Sequence, residues 1–583
     1  MRRGKREESA ESVRGYDYSD RTARERTADE LFRRAKNART AAEAEWERCN
    51  DYYNGLHDTT RALTEFCREN DLPWLPASLP DPYILVESQI EPTVPQPEFR
   101  GRDDDMDSAM ARRREFAVRY IIENNRLADK NTRNERRLLK LGDAFWKAYW
   151  DEDMVCGDAV GDIRVSDVPV EAMYPDPSVR GGSLQDGQYT DYVYRMHKVR
   201  FAQAFRGELL SLGLTAEEFL GGDYVSRDGL FDMTSALNEE DDTVQILEHW
   251  FRQPCETVLP DGEIVPAGAV ACSVLAGGHE LRYIPNYWRR TGGQNRLFPF
   301  VHYWRIQDEN RFWNKSELFA VLDLVDAADR KLASALLSDA FLANDMLLVE
   351  DGALADGEEL TNEPGAVVHL KAGRMGGVQR LGGLQPMSRA SADITWLKEQ
   401  IERASRNYDS NLGRETVRET TASALSMLRS DAREQSDIKR ADRNAGFERL
   451  YELLDWLALE FYDEDRLLYL GAPDGSDAPG ERMVYNSAAF ARTLPAVRGL
   501  SGEVLRPERV FFPRVDITVT ASDGVRHDRQ TTLAALDALT RANITAENWR
   551  IFAAELDILD IPGRQEIVRA WRERFAPEEV TAV

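Results

Sequence analysis

Between Phe312 and Asp465 the apolar pattern repeatedly changes period, and that succession constrains the fold more than any other stretch of the chain. Asn314-Lys315-Ser316-Glu317 reads as a helix N-cap with an acid three residues on. Leu318, Val321, Leu322, Val325, Ala328, Leu332, Ala335 and Leu336 then recur on one helical face. After Asn344 comes the short apolar run Met346-Leu347-Leu348-Val349, followed by Glu350, Asp351 and glycines scattered as far as Pro386. Helical spacing returns from Ser388 to about Tyr408, breaks at Asn411-Leu412-Gly413, and resumes from Thr420-Thr421 to about Asp463. The pattern predicts a helix, a compact non-helical insert, a second helix, a break and a long third helix.

A chain of 583 residues is long enough for several packed regions. With 42% hydrophobic and 30% charged residues it has the composition of an ordinary soluble protein. No run approaches the roughly 18 to 20 apolar residues of a bilayer helix. Met1-Arg2-Arg3-Gly4-Lys5-Arg6 is followed by acids and serines instead of an apolar signal core, so use without export and without a membrane is expected. The five cysteines, Cys49, Cys67, Cys156, Cys255 and Cys272, are dispersed and never form C-x-x-C, which argues for a reducing compartment and against a disulfide scaffold or structural zinc.

The charge balance of 75 basic against 102 acidic residues, net −27, has the wrong sign for tight duplex binding by phosphate neutralisation. It does not exclude a surface past which DNA slides, because repulsion removes sticking points, but on charge by itself solubility alone is the simpler reading.

Along the chain, residues 1 to about 26 are poor in apolar side chains and are expected to be disordered. A helix from Thr27 runs to Tyr52-Tyr53-Asn54-Gly55, and the Pro-rich passage Leu72 to Pro97, with Tyr83-Ile84-Leu85-Val86, is expected to be largely extended. Helices follow from Asp103-Asp104-Asp105 to Asn125 and from Lys130 to Leu141. Strands are predicted at Ala144–Trp150, Ile163–Val165, Tyr192–Tyr194 and Val244–Leu247, with a hairpin turn at Pro260-Asp261-Gly262 and an intervening helix at about Arg200–Leu212. Val515–Thr520 alternates with period two, and helices are expected at 528–542, 546–556 and 563–575.

Catalytic signatures are absent. There is no G-x-x-x-x-G-K-[ST] phosphate loop and no H-E-x-x-H, and the seven histidines are scattered. Asp103, Asp105 and Asp107 have calcium-loop spacing, but Ser108 replaces the turn glycine and Arg114 the bidentate acid, so they read as acids at a helix N-terminus. Gly376-Gly377 and Gly382-Gly383 read as turns rather than a dinucleotide loop, and Glu239-Glu240-Asp241-Asp242 as a solvated loop. No cofactor and no metal are expected.

The order helix, small insert, helix, broken loop, long helix, behind a mixed domain and ahead of a returning strand, resembles the portal proteins of tailed bacteriophages. Local strings are similar as well: Leu141-Gly142-Asp143-Ala144-Phe145-Trp146-Lys147, Val168-Pro169-Val170-Glu171-Ala172-Met173-Tyr174-Pro175-Asp176-Pro177, and Thr421-Ala422-Ser423-Ala424-Leu425. The resemblance spans roughly residues 28–525 and rests on order and spacing, no single motif being specific. It implies an α+β portal-type fold: a mixed α/β wing over 27–312, a first stem helix over 313–345, and a small β-rich clip over 346–387. A second stem helix over 388–410, a tunnel loop over 411–420, a long tunnel helix over 421–465, wing return strands over 466–527 and a helical crown over 528–583 complete it, with no extended barrel beyond.

The function implied is architectural rather than enzymatic: a closed homododecameric ring at one capsid vertex of the virion, assembled in the host bacterial cytoplasm. Double-stranded DNA would pass non-specifically through its axis, driven by a separate large terminase. Capsid protein or scaffold, and later a head-tail adaptor, are the implied partners. The channel candidates are Arg414, Glu415, Thr416, Val417, Arg418 and Glu419 in the tunnel loop, with Arg330, Lys331 and Lys398 on the stem. The clip is acidic in its first half (Glu350, Asp351, Asp356, Glu358, Glu359, Glu363) and basic in its second (Lys371, Arg374, Arg380), a pattern that neighbouring subunits or a partner could pair. The alternative for each set is a plain solvated face. The rival classes are another virion component, such as a head-tail adaptor or scaffold-associated protein, and a DNA-packaging nuclease or motor.

Overall fold

The computed structural model describes residues 16–520 apart from 71–77, 103–104, 157–158, 222–236, 239–241, 260–261, 263, 293, 344–346, 358–366, 368, 375, 381–389, 406–421, 472–479, 495–496, 499–503 and 507–508, and beyond them 545, 548–550, 552, 571 and 574. The helices expected after residue 528 therefore lie almost entirely outside the described residues.

The first helix, α1 (Arg21–Tyr53), starts earlier than its apolar period suggests. Asp20 caps it, its carboxylate accepting from Ala23 N at 2.8 Å. Tyr18 stacks on Phe251 at 3.7 Å, and Arg24 makes two 2.7 Å bonds to Glu280. This corrects the expectation of disorder up to residue 26: residues 16–26 are held by aromatic and ionic contacts to a sheet more than 200 positions away, which composition does not reveal. After α2 (Asp58–Glu69) the Pro-rich passage forms a helix, α3 (Asp81–Glu87), where an extended chain was expected. Pro82 sits in its first turn, where a missing N–H costs nothing, and Leu85 and Val86 are buried.

Strand β1 (Gln96–Arg100), α4 (Asp105–Asn124) and α5 (Leu127–Leu141) lead to β2 (Asp143–Cys156) and β3 (Ala159–Val168). Gly142 ends α5 at φ 90°, and a Cβ there would lie 2.6 Å from the backbone of Lys315, so glycine is needed on both counts. Strands β4 (Tyr189–His197), β5 (Thr243–Arg252), β6 (Val270–Ala276) and β7 (His279–Ile284) form an antiparallel sheet in the order β7-β6-β5-β4, edged by Met173–Pro175. The helix expected at Arg200–Leu212 is two short ones, Lys198–Ala204 and Arg206–Ser211. Thr257–Val258 pairs with Ile264–Val265 as the hairpin pattern requires. Strand β8 (Phe300–Trp304) joins β2 and β3 in a second sheet, order β8-β2-β3.

Next come α6 (Glu317–Ala343), the short strands β9 (Leu347–Val349) and β10 (Val378–Arg380), α7 (Ala390–Ser405) and the 40-residue α8 (Ala422–Phe461). The cap of α6 is Ser316, whose Oγ accepts from Phe319 N at 2.9 Å; Asn314, the expected cap, instead donates its side-chain amide to Asp143 at 2.7 Å. The chain returns through β11 (Arg466–Leu470), β12 (Glu481–Tyr485) and β13 (Asp516–Thr520). β13 pairs with β1, in register Gln96↔Thr520, closing the body over more than 400 residues of sequence.

The main core gathers α4, α5, both sheets, the start of α6 and the second half of α8. On α8, Phe447, Leu450, Tyr451, Leu454 and Leu457 are fully or almost fully buried, each worth about 1.5–3 kcal/mol against exposure. Phe461, expected with them, is partly buried and stacks on Trp150 at 5.2 Å. Gly446 lets α8 approach the Tyr303 ring, whose Cβ and Cγ lie 2.8 Å from where a methyl would stand. Two buried ion pairs fix α8 in rotation: Arg114 Nε to Asp455 at 2.8 Å, and Arg443 Nε to Glu135 at 2.7 Å.

Candidate functional site

The segment that opened the sequence reading is a pair of packed helices, α6 and α7, joined through a small hairpin. The base of α6 is set in the body, with Leu318, Val321, Leu322, Val325 and Ala328 at 0% exposure. Farther along, Ala335, Leu336, Leu337 and Ser338 are only half-buried, and on α7 Trp396 is 57% exposed. So α6 leaves the main core along its own length, and its distal part is covered by α7 and by α2, whose Leu63 and Cys67 pack against Ala333, Leu336 and Leu337.

A polar clamp holds the base. His57 Nδ1 donates to Asp329 at 2.5 Å and its Nε2 donates to Tyr52 O at 2.9 Å, both residues having no exposed side-chain surface. With Asp329 ionised, two acceptors on one ring require both nitrogens protonated, an imidazolium beside a carboxylate. Burial raises the Asp329 carboxyl pKa, and the hydrogen bond and charge of His57 oppose that rise. Burial pushes the His57 pKa down, but the hydrogen bond and charge of Asp329 outweigh it and hold it above the ordinary histidine value. Asp329 also accepts from Leu79 N at 2.8 Å, and Asp326 accepts from Tyr52 Oη and Thr59 Oγ1 at 3.0 Å each. Sequence reasoning missed this clamp. Its trace was there: Asp326 and Asp329 stand directly beside Val325 and Ala328 of the apolar stripe, where an unpaired carboxylate would be costly.

The cations expected on the stem all have carboxylate partners in the same subunit. Arg330 pairs with Asp326 at 2.6 Å, Lys331 reaches Asp393 of α7 at 3.1 Å, and Lys398 of α7 reaches Asp81 of α3 at 3.5 Å. The last two link α6 to α7 and α7 to the body. Arg414, Glu415, Thr416, Val417, Arg418 and Glu419 lie outside the described residues, as do the side chains of the first half of α8.

Within the insert, β9 and β10 pair antiparallel, Leu347↔Arg380 to Val349↔Val378, and Leu354 bridges Leu370. Gly352, Gly357 and Gly373 turn with φ between 75° and 88°, a region that favours glycine. The acidic and basic halves meet inside one insert: Arg374 pairs with Glu350, and Lys371 with Asp356 at 2.7 Å. The Lys371 hydrogen bond, followed by its charge, pulls the Asp356 carboxyl below its ordinary range. Asp351 is exposed, Arg380 lies in β10, and Glu358, Glu359 and Glu363 fall outside the described residues.

Asp107, of the calcium-like triplet, is buried and accepts from Arg492 at 2.5 Å, while Asp242 pairs with Lys198 at 2.6 Å. Among the described residues no group of His, Cys, Asp and Glu has the geometry of a metal site, and no helix is long and apolar enough to cross a membrane.

The arrangement is a projecting helical pair with a charged hairpin at its end. A family model of the phage P22-like portal protein matches residues 85–582. No curated protein matches the chain. Since the family match covers most of the chain, from α3 through both sheets and the helical pair to the C-terminal region, the chain belongs to the phage P22-like portal protein family.

Proposed function

We propose that this portal protein assembles into a closed homododecameric ring at one capsid vertex, through which double-stranded DNA is packaged and ejected. Portal proteins are structural components of the virion, and no catalytic step is assigned to this one. The observation that carries the reading is the family match over 85–582, joined to a helical pair whose distal surface its own subunit leaves half-exposed. A ring needs two different faces per subunit that close by rotation, and such a surface is available for one of them.

In this reading α6 and α7 are the stem, the β9–β10 insert is the clip, residues 411–420 are the tunnel loop, α8 is the tunnel helix and the residues after 528 form the crown. Arg414 and Arg418 touch passing phosphates while Glu415 and Glu419 limit retention, with Thr416 and Val417 between them. Arg330, Lys331 and Lys398 are weaker channel contacts, since each would have to share its charge with a carboxylate. The clip meets its neighbour or the large terminase, and after packaging the head-tail adaptor, through Glu350, Asp351, Glu358, Glu359, Lys371, Arg374 and Arg380. Pairs as exposed as Arg374–Glu350 and Lys371–Asp356 add little stability, so exchanging an internal partner for a neighbour's is cheap. Capsid protein or scaffold holds the wing, and assembly takes place in the host bacterial cytoplasm.

Native mass spectrometry with negative-stain imaging of the purified protein tests the proposal. A ring of about a dozen subunits with an axial hole is expected from a closed heterologous contact. A monomer or dimer under all conditions refutes it.

A further inference from the structure

A cleft of about 680 Å³ opens beside the second half of α8, between residues 294–297 and the start of β13. Six arginines line it. Two are matched by carboxylates: Arg114 by the buried Asp455, and Arg102 by Asp516. The other four, Arg252, Arg296, Arg449 and Arg514, have no carboxylate oxygen within 4.0 Å among the described residues.

Two of these cations are held in place by neutral groups. Arg252 donates to the carbonyls of Gly187 at 3.1 Å, Gln185 at 2.8 Å and Arg296 at 2.5 Å, and lies over the Phe298 ring. Arg449 donates to His302 O at 3.0 Å and lies over the Trp304 ring. Carbonyl dipoles orient a guanidinium without neutralising it, and N–H groups remain free on both. Burial lowers the pKa of each from the ordinary arginine value; the nearby Arg296 adds to the effect at Arg252, where Asp186 opposes it, and the longer-range pull of Glu448, Asp186 and Asp442 does not offset it at Arg449. Asn295 lines the same cleft, is 2% exposed, and uses its Oδ1 to accept from Leu297 N at 3.0 Å. Among the described residues its Nδ2 has no hydrogen-bond partner. Buried donors and unmatched cations on one wall form an anion site whose donors are already oriented.

The size and the rest of the wall choose among anions. A duplex is too wide for such a cleft, and Glu448 and Glu452 on the same wall would repel a run of phosphates. A single carboxylate fits. The chain itself supplies them in excess, with 102 acidic against 75 basic residues, and a ring presents a second face of the same chain to each subunit. We propose that the cleft is a carboxylate socket, in which an acidic side chain of a second copy of this chain seats among Arg252, Arg296 and Arg449. The socket rests on the ring reading above.

The test is the salt at which assembled rings dissociate, followed by native mass spectrometry and light scattering, for wild type, Arg296→Glu and Arg449→Gln. Arg296 is exposed and only its backbone carbonyl is engaged, so its substitution leaves the subunit folded, which circular dichroism checks. Arg296→Glu is expected to lower the midpoint salt concentration by about twofold or more, and Arg449→Gln by less, as befits loss of an interfacial charge contact. At matched ionic strength, inorganic phosphate should destabilise wild-type rings more than rings of either variant. Unchanged midpoints in both variants would overturn the socket and leave the ring standing. A wild-type protein that stays a single subunit would overturn the ring, and the socket with it. Variants that lose duplex-oligonucleotide binding with no change in ring stability would give the cleft to DNA and overturn the carboxylate assignment.

Discussion

Replacing Asp329 with alanine should release the base of α6 from α2. In the native protein the Asp329 side chain, with no exposed surface, faces the His57 ring at 2.5 Å and the Leu79 backbone N–H at 2.8 Å. Deleting one partner of such a buried pair costs about 3–5 kcal/mol, and the orphaned Leu79 N–H adds about 1–3 kcal/mol. His57 can relieve part of this by losing its Nδ1 proton, so the lower end, about 3 kcal/mol, is the better expectation. If α2 (Asp58–Glu69) opens locally, that figure corresponds to amide hydrogen exchange on the order of 100-fold faster along this helix. Asp329→Asn keeps an acceptor for Leu79 N and can donate to a neutral His57, so it should cost only about tenfold in the same assay. The pH dependence follows from the raised His57 pKa. The stabilisation is complete below the unfolded histidine value of about 6.5, and it is lost as pH rises through the higher folded value. Protection of α2, corrected for intrinsic exchange, should therefore fall on the alkaline side in wild type and be flat in Asp329→Ala. An alanine variant whose α2 amides exchange within about threefold of wild type at every pH would refute the buried ion pair as the clamp.

Other substitutions probe other joints. Asp455→Ala leaves the buried Arg114 without its carboxylate and should cost about 3–5 kcal/mol in urea unfolding, with the double variant Arg114→Met/Asp455→Leu recovering much of it. Gly446→Ala gains about 1 kcal/mol in helix propensity but drives a methyl against the Tyr303 ring, so a net loss is expected, read as a lower thermal midpoint. A rise in the midpoint would mean that Tyr303 moves freely. Arg414→Ala/Arg418→Ala should leave ring assembly intact and alter DNA packaging in a reconstituted reaction; loss of the ring would make that segment structural instead.

Much of the helical pair was legible because the period of its apolar residues is a local property. Leu318 to Ala328 face one way on any α-helix, and Met346 to Val349 with the glycines after them cannot continue it. Positions where polar groups decide were not legible. Ser316 rather than Asn314 caps α6 because Asp143, from another strand, claims the Asn314 amide. Residues 81–87 coil into a helix because Leu85 and Val86 find a core, whereas prolines around them suggested extension. Tyr18 and Arg24 order the N-terminal segment through partners at Phe251 and Glu280.

By itself the sequence determined the succession of elements, the absence of a phosphate loop or clustered metal ligands in the motifs, and the order that resembles a portal protein. Only the tertiary structure decided what each charge does. Lys331, Lys398, Lys371 and Arg374 have carboxylate partners, while Arg252, Arg296 and Arg449 have none within 4.0 Å among the described residues. The physical reason is range. Apolar periodicity is set by neighbours within two turns, but an ion pair or a desolvated arginine depends on which distant segments the core brings within about 4 Å of it.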